Sequence, residues 1–274
     1  MRLLFCGDIV GRSGREAILA QVPRLRASLA LDFVIANAEN AAGGFGITEK
    51  VCNEIFGAGV DVITGGNHMW DQREALGYID REPRVLRPHN YPSATPGRGA
   101  AVFDAPGGRK VLVLNVMGRL FMDPLDDPFA CVERELAKYR LGATVQAIVV
   151  DVHAEATSEK MAMGHYLDGR ASLCVGTHTH VPTSDTMILP GGTAYQTDAG
   201  MCGDYDSVIG MDKAEPIARF TRKLRGAHLS AASGEGTLCA VFVETDDKTG
   251  LARRVAPLRA GGRLSPTEPD GETG

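Results

Sequence analysis

The sequence predicts a layered α/β domain with mixed β-sheets flanked by helices, and three observations carry that prediction. Short apolar runs recur along the chain, most are followed by a polar or glycine-rich turn, and helical patterns fill the gaps between them. Two stretches, at 100–116 and 237–258, each hold two β-rich runs around a Gly- or Asp-rich turn and read as hairpins.

The first run, LLFCGD at 3–8, is a buried strand, and Ser13 with Glu16 three residues on forms a capping box for a helix through about Leu29. FVIANAEN at 33–40 and VDVITGGNH at 60–68 are the next strands, with Thr48 capping a helix toward Gly57 between them. KVLVLNVMG (110–118), AIVVDVHAE (147–155) and SLCVGTHTH (172–180) complete the strand series. Residues 71–80, 128–140, 157–167 and 212–224 are expected to be helical. No internal repeat is present. The tail at 260–274 is rich in Gly, Pro, Thr and acid and is expected to lack structure, which leaves residues 1–259 as one domain.

Composition fits this reading. A chain of 274 residues with 44% hydrophobic and 23% charged residues is long enough to bury one sizeable core. A formal net charge of −5 gives no broad attraction for duplex nucleic acid or an anionic membrane. The six cysteines stand singly in mostly apolar runs, without a CxxC pair, as reduced core residues do. The opening apolar run breaks at Gly7 and Asp8, too early for a signal peptide, and no run approaches the ~20 apolar residues of a membrane span. The cytoplasm is the expected location.

The polar residues fall where strands end. Asp8 closes the first strand, Glu39 and Asn40 the second, Asn67 and His68 the third, His153 a later one, and His178 with His180 another. In an open α/β sheet these carboxyl ends converge on one edge, where such folds place their ligands. The convergent set is carboxylates, amides and imidazoles, which suits Mn, Fe or Zn rather than calcium or a thiolate-bound metal. Taken singly, each residue has an ordinary alternative: Asp8 as a helix cap, Glu39 or Asn40 as a turn residue, His153 as a structural histidine. Five segments aimed at one place outweigh those alternatives.

GD at 7–8, GNH at 66–68, the lone His153 and GTHTH at 176–180 stand in the order shown by calcineurin-like metallophosphoesterases, which the chain resembles. NAENAAGG (37–44), GGNHMWD (65–71), DVHAEATSEK (151–160) and TDAGMCGDYDSVIG (197–210) further resemble the YmdB-like branch, the 2′,3′-cyclic nucleotide phosphodiesterases. Two departures from the wider superfamily are shared with that branch: Asp8-Ile9-Val10 replaces Asp-x-His, and Glu39-Asn40 stands where an Asp usually bridges the metals.

The resemblance implies that Asp8 and His180 hold one metal, that Asn40, Asn67, His153 and His178 hold the other, and that Glu39 bridges both. Two cations ~3.5–4 Å apart would share a hydroxide that attacks phosphorus in line. His68, beside Asn67, would protonate the leaving oxygen as general acid. Iron is the metal the resemblance implies, with manganese or zinc as alternatives and mixed valence allowed. Asp151, Glu155 and Asp71 are candidates for fixing the histidine rings or for capping helices, with capping favoured for Asp71. Trp70 is a candidate for stacking on a base or for core packing, and the run 197–210 for bordering the pocket or for an ordinary surface loop.

Competing motifs are missing. GDIVGRSG lacks the spacing of a dinucleotide fingerprint, AAGGFGITEK lacks a phosphate loop's Gly-Lys-Ser/Thr, and no GxSxG elbow occurs. The resemblance implies an enzyme acting on a small phosphodiester, with a phosphomonoesterase as its nearest rival. A regulatory module that binds metal and nucleotide with little turnover is the alternative from another class. A homo-oligomer is compatible with either.

Overall fold

Apolar runs without polar alternation require strands covered on both faces. The computed structural model describes residues 1–223 and 226–269. Its elements run β1 (Arg2–Cys6), β2 (Asp8–Ile9), α1 (Gly11–Ser28), β3 (Phe33–Asn37), α2 (Glu49–Gly57), β4 (Val62–Thr64) and α3 (Ala75–Tyr78). They continue with β5 (Ala100–Ala105), β6 (Arg109–Met117), α4 (Pro128–Leu136), β7 (Ala147–His153), α5 (Thr157–Tyr166), β8 (Leu173–Thr177) and β9 (Met187–Ile188). The last are β10 (Ala194–Gln196), β11 (Met201–Cys202), α6 (Ala214–Arg222), β12 (Leu238–Thr245) and β13 (Ala252–Ala260).

Two mixed sheets result, ordered β13-β12-β1-β3-β4 and β5-β6-β7-β8-β10-β9, beside a short β11-β2 ladder. Their centres are parallel, β1-β3-β4 in one and β6-β7-β8-β10 in the other, and the expected hairpins β5-β6 and β12-β13 are antiparallel. The sheets pack face to face. Leu3, Phe5, Ile35, Val241 and Val243 of the first meet Val111, Val113, Val149 and Val175 of the second. The alternate residues Leu4, Cys6, Val34 and Ala36 turn outward onto Ile18, Val22 and Leu25 of α1 and Ile55 of α2. Leu112, Leu114, Ile148, Val150 and Cys174 do the same against Val132 and Leu136 of α4 and Met163 of α5. The period-2 alternation thus serves three apolar layers, giving a helix–sheet–sheet–helix sandwich. All six cysteines are buried and unpaired. No helix among the described residues is long and apolar enough to cross a membrane.

Several local expectations are corrected. α1 begins at Gly11, so Ser13 lies inside its first turn and does not cap it. The Ser13 hydroxyl instead contacts the carbonyls of Ala232 and Gly234, at 3.1 and 2.7 Å, tethering a distant loop. Thr48 caps α2 as expected, accepting from the Val51 amide at 3.2 Å. The helix expected at 71–80 shrinks to Ala75–Tyr78, because the turn before it is committed to loop contacts: Gln72 Nε2 donates to the Phe45 carbonyl at 2.9 Å. The helix expected at 128–140 ends at Leu136, and α6 spans Ala214–Arg222, with Leu224 of the expected helix outside the described residues. Arg259 and Thr267 exchange backbone hydrogen bonds of 2.8 and 3.0 Å. Residues 270–274 of the expected tail lie outside the described residues.

Candidate metal centre

The edge that collects the polar residues belongs to two sheets rather than to one open sheet. The carboxyl ends of β1, β3 and β4 face those of β7 and β8, so Asp8, Glu39 with Asn40, Asn67 with His68, His153, and His178 with His180 meet between them. His153 is the hub. Its Nε2 lies 3.1 Å from Glu39 Oε1, 3.0 Å from Asn67 Oδ1 and 3.2 Å from His178 Nδ1. Asn40 Nδ2 contacts Glu39 Oε1 at 3.2 Å and His180 Nε2 at 3.3 Å. The His178 amide donates to Asp8 Oδ2 at 3.1 Å, and the His68 amide donates to Glu39 Oε2 at 2.8 Å. All eight predicted residues are therefore linked in one network.

Each imidazole is oriented by a partner behind it. Asp151 Oδ1 takes the Thr177 hydroxyl proton at 2.7 Å, so Thr177 Oγ1 accepts from His153 Nδ1 at 2.9 Å and the Nε2 lone pair is left facing the centre. His178 Nε2 lies 3.1 Å from Glu155 Oε2, leaving Nδ1 inward. His180 Nδ1 donates to the Ile209 carbonyl at 2.8 Å, leaving Nε2 inward. Three lone pairs and two carboxylates then point at one small space, an arrangement that repels itself unless a proton or a cation lies between. A proton on His153 Nε2 is one such bridge: burial works against charge on both Glu39 and His153, yet each favours the charge on the other, holding Glu39 below the usual carboxylate range and His153 above the usual imidazole range. Burial and the neighbouring His153 charge push His178 down to about 3.

A metal fits this donor set. Asp8 is wholly buried and its Oδ1 has no hydrogen-bond partner, an orphaned acceptor of the kind a protein interior rarely keeps. Glu39, His153 and His178 offer ligand atoms that all lie within 4.8 Å of one another. Backbone around the centre is shaped to it. His178 and His180 take φ of 96° and 66°, in the region non-glycine residues avoid at a cost of ~1–3 kcal/mol each. At Gly66 a Cβ would stand 2.2 Å from His153 Nε2 and 2.4 Å from Glu39 Oε2, so only glycine leaves room for the pair.

Comparison with known proteins agrees with the motifs. The model for YmdB-like proteins matches residues 4–258. The chain belongs to the YmdB-like family. A 2′,3′-cyclic-nucleotide 2′-phosphodiesterase of Bacillus subtilis is 46% identical over 255 residues, covering 93% of this chain and 95% of its own length. A hypothetical protein of Thermus thermophilus superposes with a TM-score of 0.89 at 43% identity, over 96% of this chain and all of that one. A structure titled as a novel phosphatase of Mycoplasma pneumoniae also gives 0.89, at 33% identity over 95% of this chain and 93% of its own.

In this YmdB-like fold the remaining candidates take definite places. Asp71 does not cap a helix: its Oδ2 accepts from His68 Nδ1 at 2.8 Å. Trp70 is half-buried on the α1–α2 apolar layer, edge-on to Tyr91 at 6.3 Å. The run 197–210 is largely buried, and its Asp198 accepts from buried Lys160 at 2.7 Å and from the Thr179 hydroxyl at 2.7 Å, fixing the turn between the two histidines. Sequence reasoning missed Lys160, Asp198, Thr177, Thr64 and Asn37. Thr64 and Asn37 both donate to Asp151 Oδ2, at 2.6 and 3.2 Å. Their sole signal was polarity inside otherwise apolar strands.

Proposed function

We propose that this chain is a two-metal phosphodiesterase that opens 2′,3′-cyclic nucleotides, using His68 as general acid. Membership of the YmdB-like family makes it a hydrolase of phosphoric diesters. The observation that carries the finer reading is that three imidazoles, each tied from behind, aim their free nitrogens at Glu39 and at the orphaned Asp8 Oδ1.

Asp8 and His180 would hold one cation, Asn40, Asn67, His153 and His178 the other, and Glu39 both. Asn40 would present its oxygen by turning over an amide whose nitrogen now faces Glu39 and His180. Such cations supply charge neutralisation for the phosphoryl oxygens and lower the pKa of the attacking water. The first-row N/O donor set admits iron, as the resemblance implies, or manganese or zinc. His68 lies beside Asn67 with Nδ1 held by Asp71, which leaves Nε2 to carry a proton to the departing ribose oxygen. The hydrogen bond its backbone N–H donates to Glu39 fixes the backbone that presents it. Six buried, unpaired thiols suit a reducing compartment, the cytoplasm.

The test is hydrolysis of 2′,3′-cyclic AMP by metal-loaded protein, with the product identified and a nucleoside monophosphate run alongside. The B. subtilis relative's name specifies the 2′ ester, so the expected product is the 3′-monophosphate, with slow or no release of inorganic phosphate. Rapid dephosphorylation of the monophosphate with no attack on the cyclic diester would replace this reading with a phosphomonoesterase.

A further inference from the structure

We infer that Phe121 is the nucleobase platform of the site, stacking on the base of a nucleotide whose phosphate lies at the metal centre. The inference rests on the function proposed above. A cleft of about 350 Å³ opens beside the centre, lined by Asn67 and His178 on one side and by Phe121, Met122 and Asp123 on the other. That volume falls at the small end of the range for ligand pockets, ~300–1,000 Å³. Two of its walls are thus predicted metal ligands, and Phe121 supplies the large aromatic surface.

Phe121 is 90% exposed, and its φ of 62° lies in the left-handed region that bulky side chains rarely enter. The loop that presents it is nonetheless fastened at both ends. Gly118 N donates to the His153 carbonyl at 3.0 Å, and Arg119 N and Leu120 N donate to the Glu159 carboxylate at 3.0 and 3.2 Å. Asn90 Nδ2 then ties the Met117 carbonyl to the Asp126 carbonyl, at 2.8 and 3.0 Å. The anchoring runs straight to His153, so the loop's position is coupled to that of a central site residue. Trp70, the other aromatic weighed for stacking, is committed to core packing and Tyr91. Every base has a π-face, so a platform of this kind holds all four bases with weak preference.

The experiment compares wild type, Phe121→Ala and Phe121→Trp on two substrates, 2′,3′-cyclic AMP and the base-free glycerol 1,2-cyclic phosphate. Phe121→Ala is expected to raise KM for the nucleotide on the order of 10-fold while leaving kcat within about 2-fold, and Phe121→Trp to restore it. Neither variant should alter KM for the base-free diester. Equal KM changes for both substrates, or none for either, would overturn the platform while leaving the phosphodiesterase reading intact. Affinity for 3′-AMP, measured by calorimetry on metal-loaded protein, decides the matter without turnover. A loss on the order of 10-fold in Phe121→Ala supports the platform, and an unchanged affinity rejects it even if neither cyclic diester is hydrolysed.

Discussion

Around His153 the polar atoms crowd, with Glu39, Asn67 and His178 at 3.1, 3.0 and 3.2 Å from its Nε2. Around Asp8 they stand apart: the nearest imidazole nitrogens, His153 Nδ1 and His180 Nε2, are each 3.9 Å from Oδ1, and that oxygen has no hydrogen-bond partner. The cause is visible one residue past Ile9. Val10 occupies the place of the histidine that most metallophosphoesterases carry, and it is buried against Met201 and Met211. Where the resemblance implies a ligand in the wider superfamily, this chain has an apolar contact, so the Asp8 half offers fewer donors than the His153 half. On the two-metal reading proposed above, the two cations would be held unequally, and Glu39 would join the halves.

Glu39→Gln strikes both halves and has the largest expected effect, a fall in turnover on the order of 10⁴-fold with loss of both ions by elemental analysis, since it removes a charge that each cation needs. His68→Ala comes next: turnover falls about 10³-fold, as for a general acid, with metal content unchanged. Loss of metal from that variant would recast His68 as a structural support. Thr177→Val removes the acceptor that orients His153 and is expected to weaken the tighter ion roughly 10–100-fold in a metal titration, while the Asp8-side ion is little affected. Equal weakening of both ions would erase the asymmetry between the halves. Thr48→Ala removes a helix cap that contacts neither half and should lower unfolding stability by about 1 kcal/mol in urea with kcat unchanged.

The sandwich was legible because each apolar run is long enough for a strand and is buried on both sides, as Leu3 to Cys6 shows. What periodicity lacks is the partner: nothing in LLFCGD tells that Leu3 and Phe5 face a second sheet rather than a helix. Ser13 misled because its spacing to Glu16 imitates a capping box, while its hydroxyl is claimed by carbonyls more than 200 residues away. The convergence of the candidate residues on one edge was readable from polarity at strand ends, and their roles as ligands came from the resemblance alone. The groups behind them were not, because Thr64 and Thr177 are ordinary strand residues by propensity and Lys160 reads as helix surface until Asp198 is placed against it.

The most direct test counts ions and turnover together, on wild type and His68→Ala loaded under identical conditions and assayed with 2′,3′-cyclic AMP. The account predicts about two ions per chain in both proteins, with opening of the cyclic diester confined to wild type. Wild type that holds both ions and hydrolyses no cyclic nucleotide, or a His68→Ala variant that hydrolyses it as fast as wild type, would contradict the account.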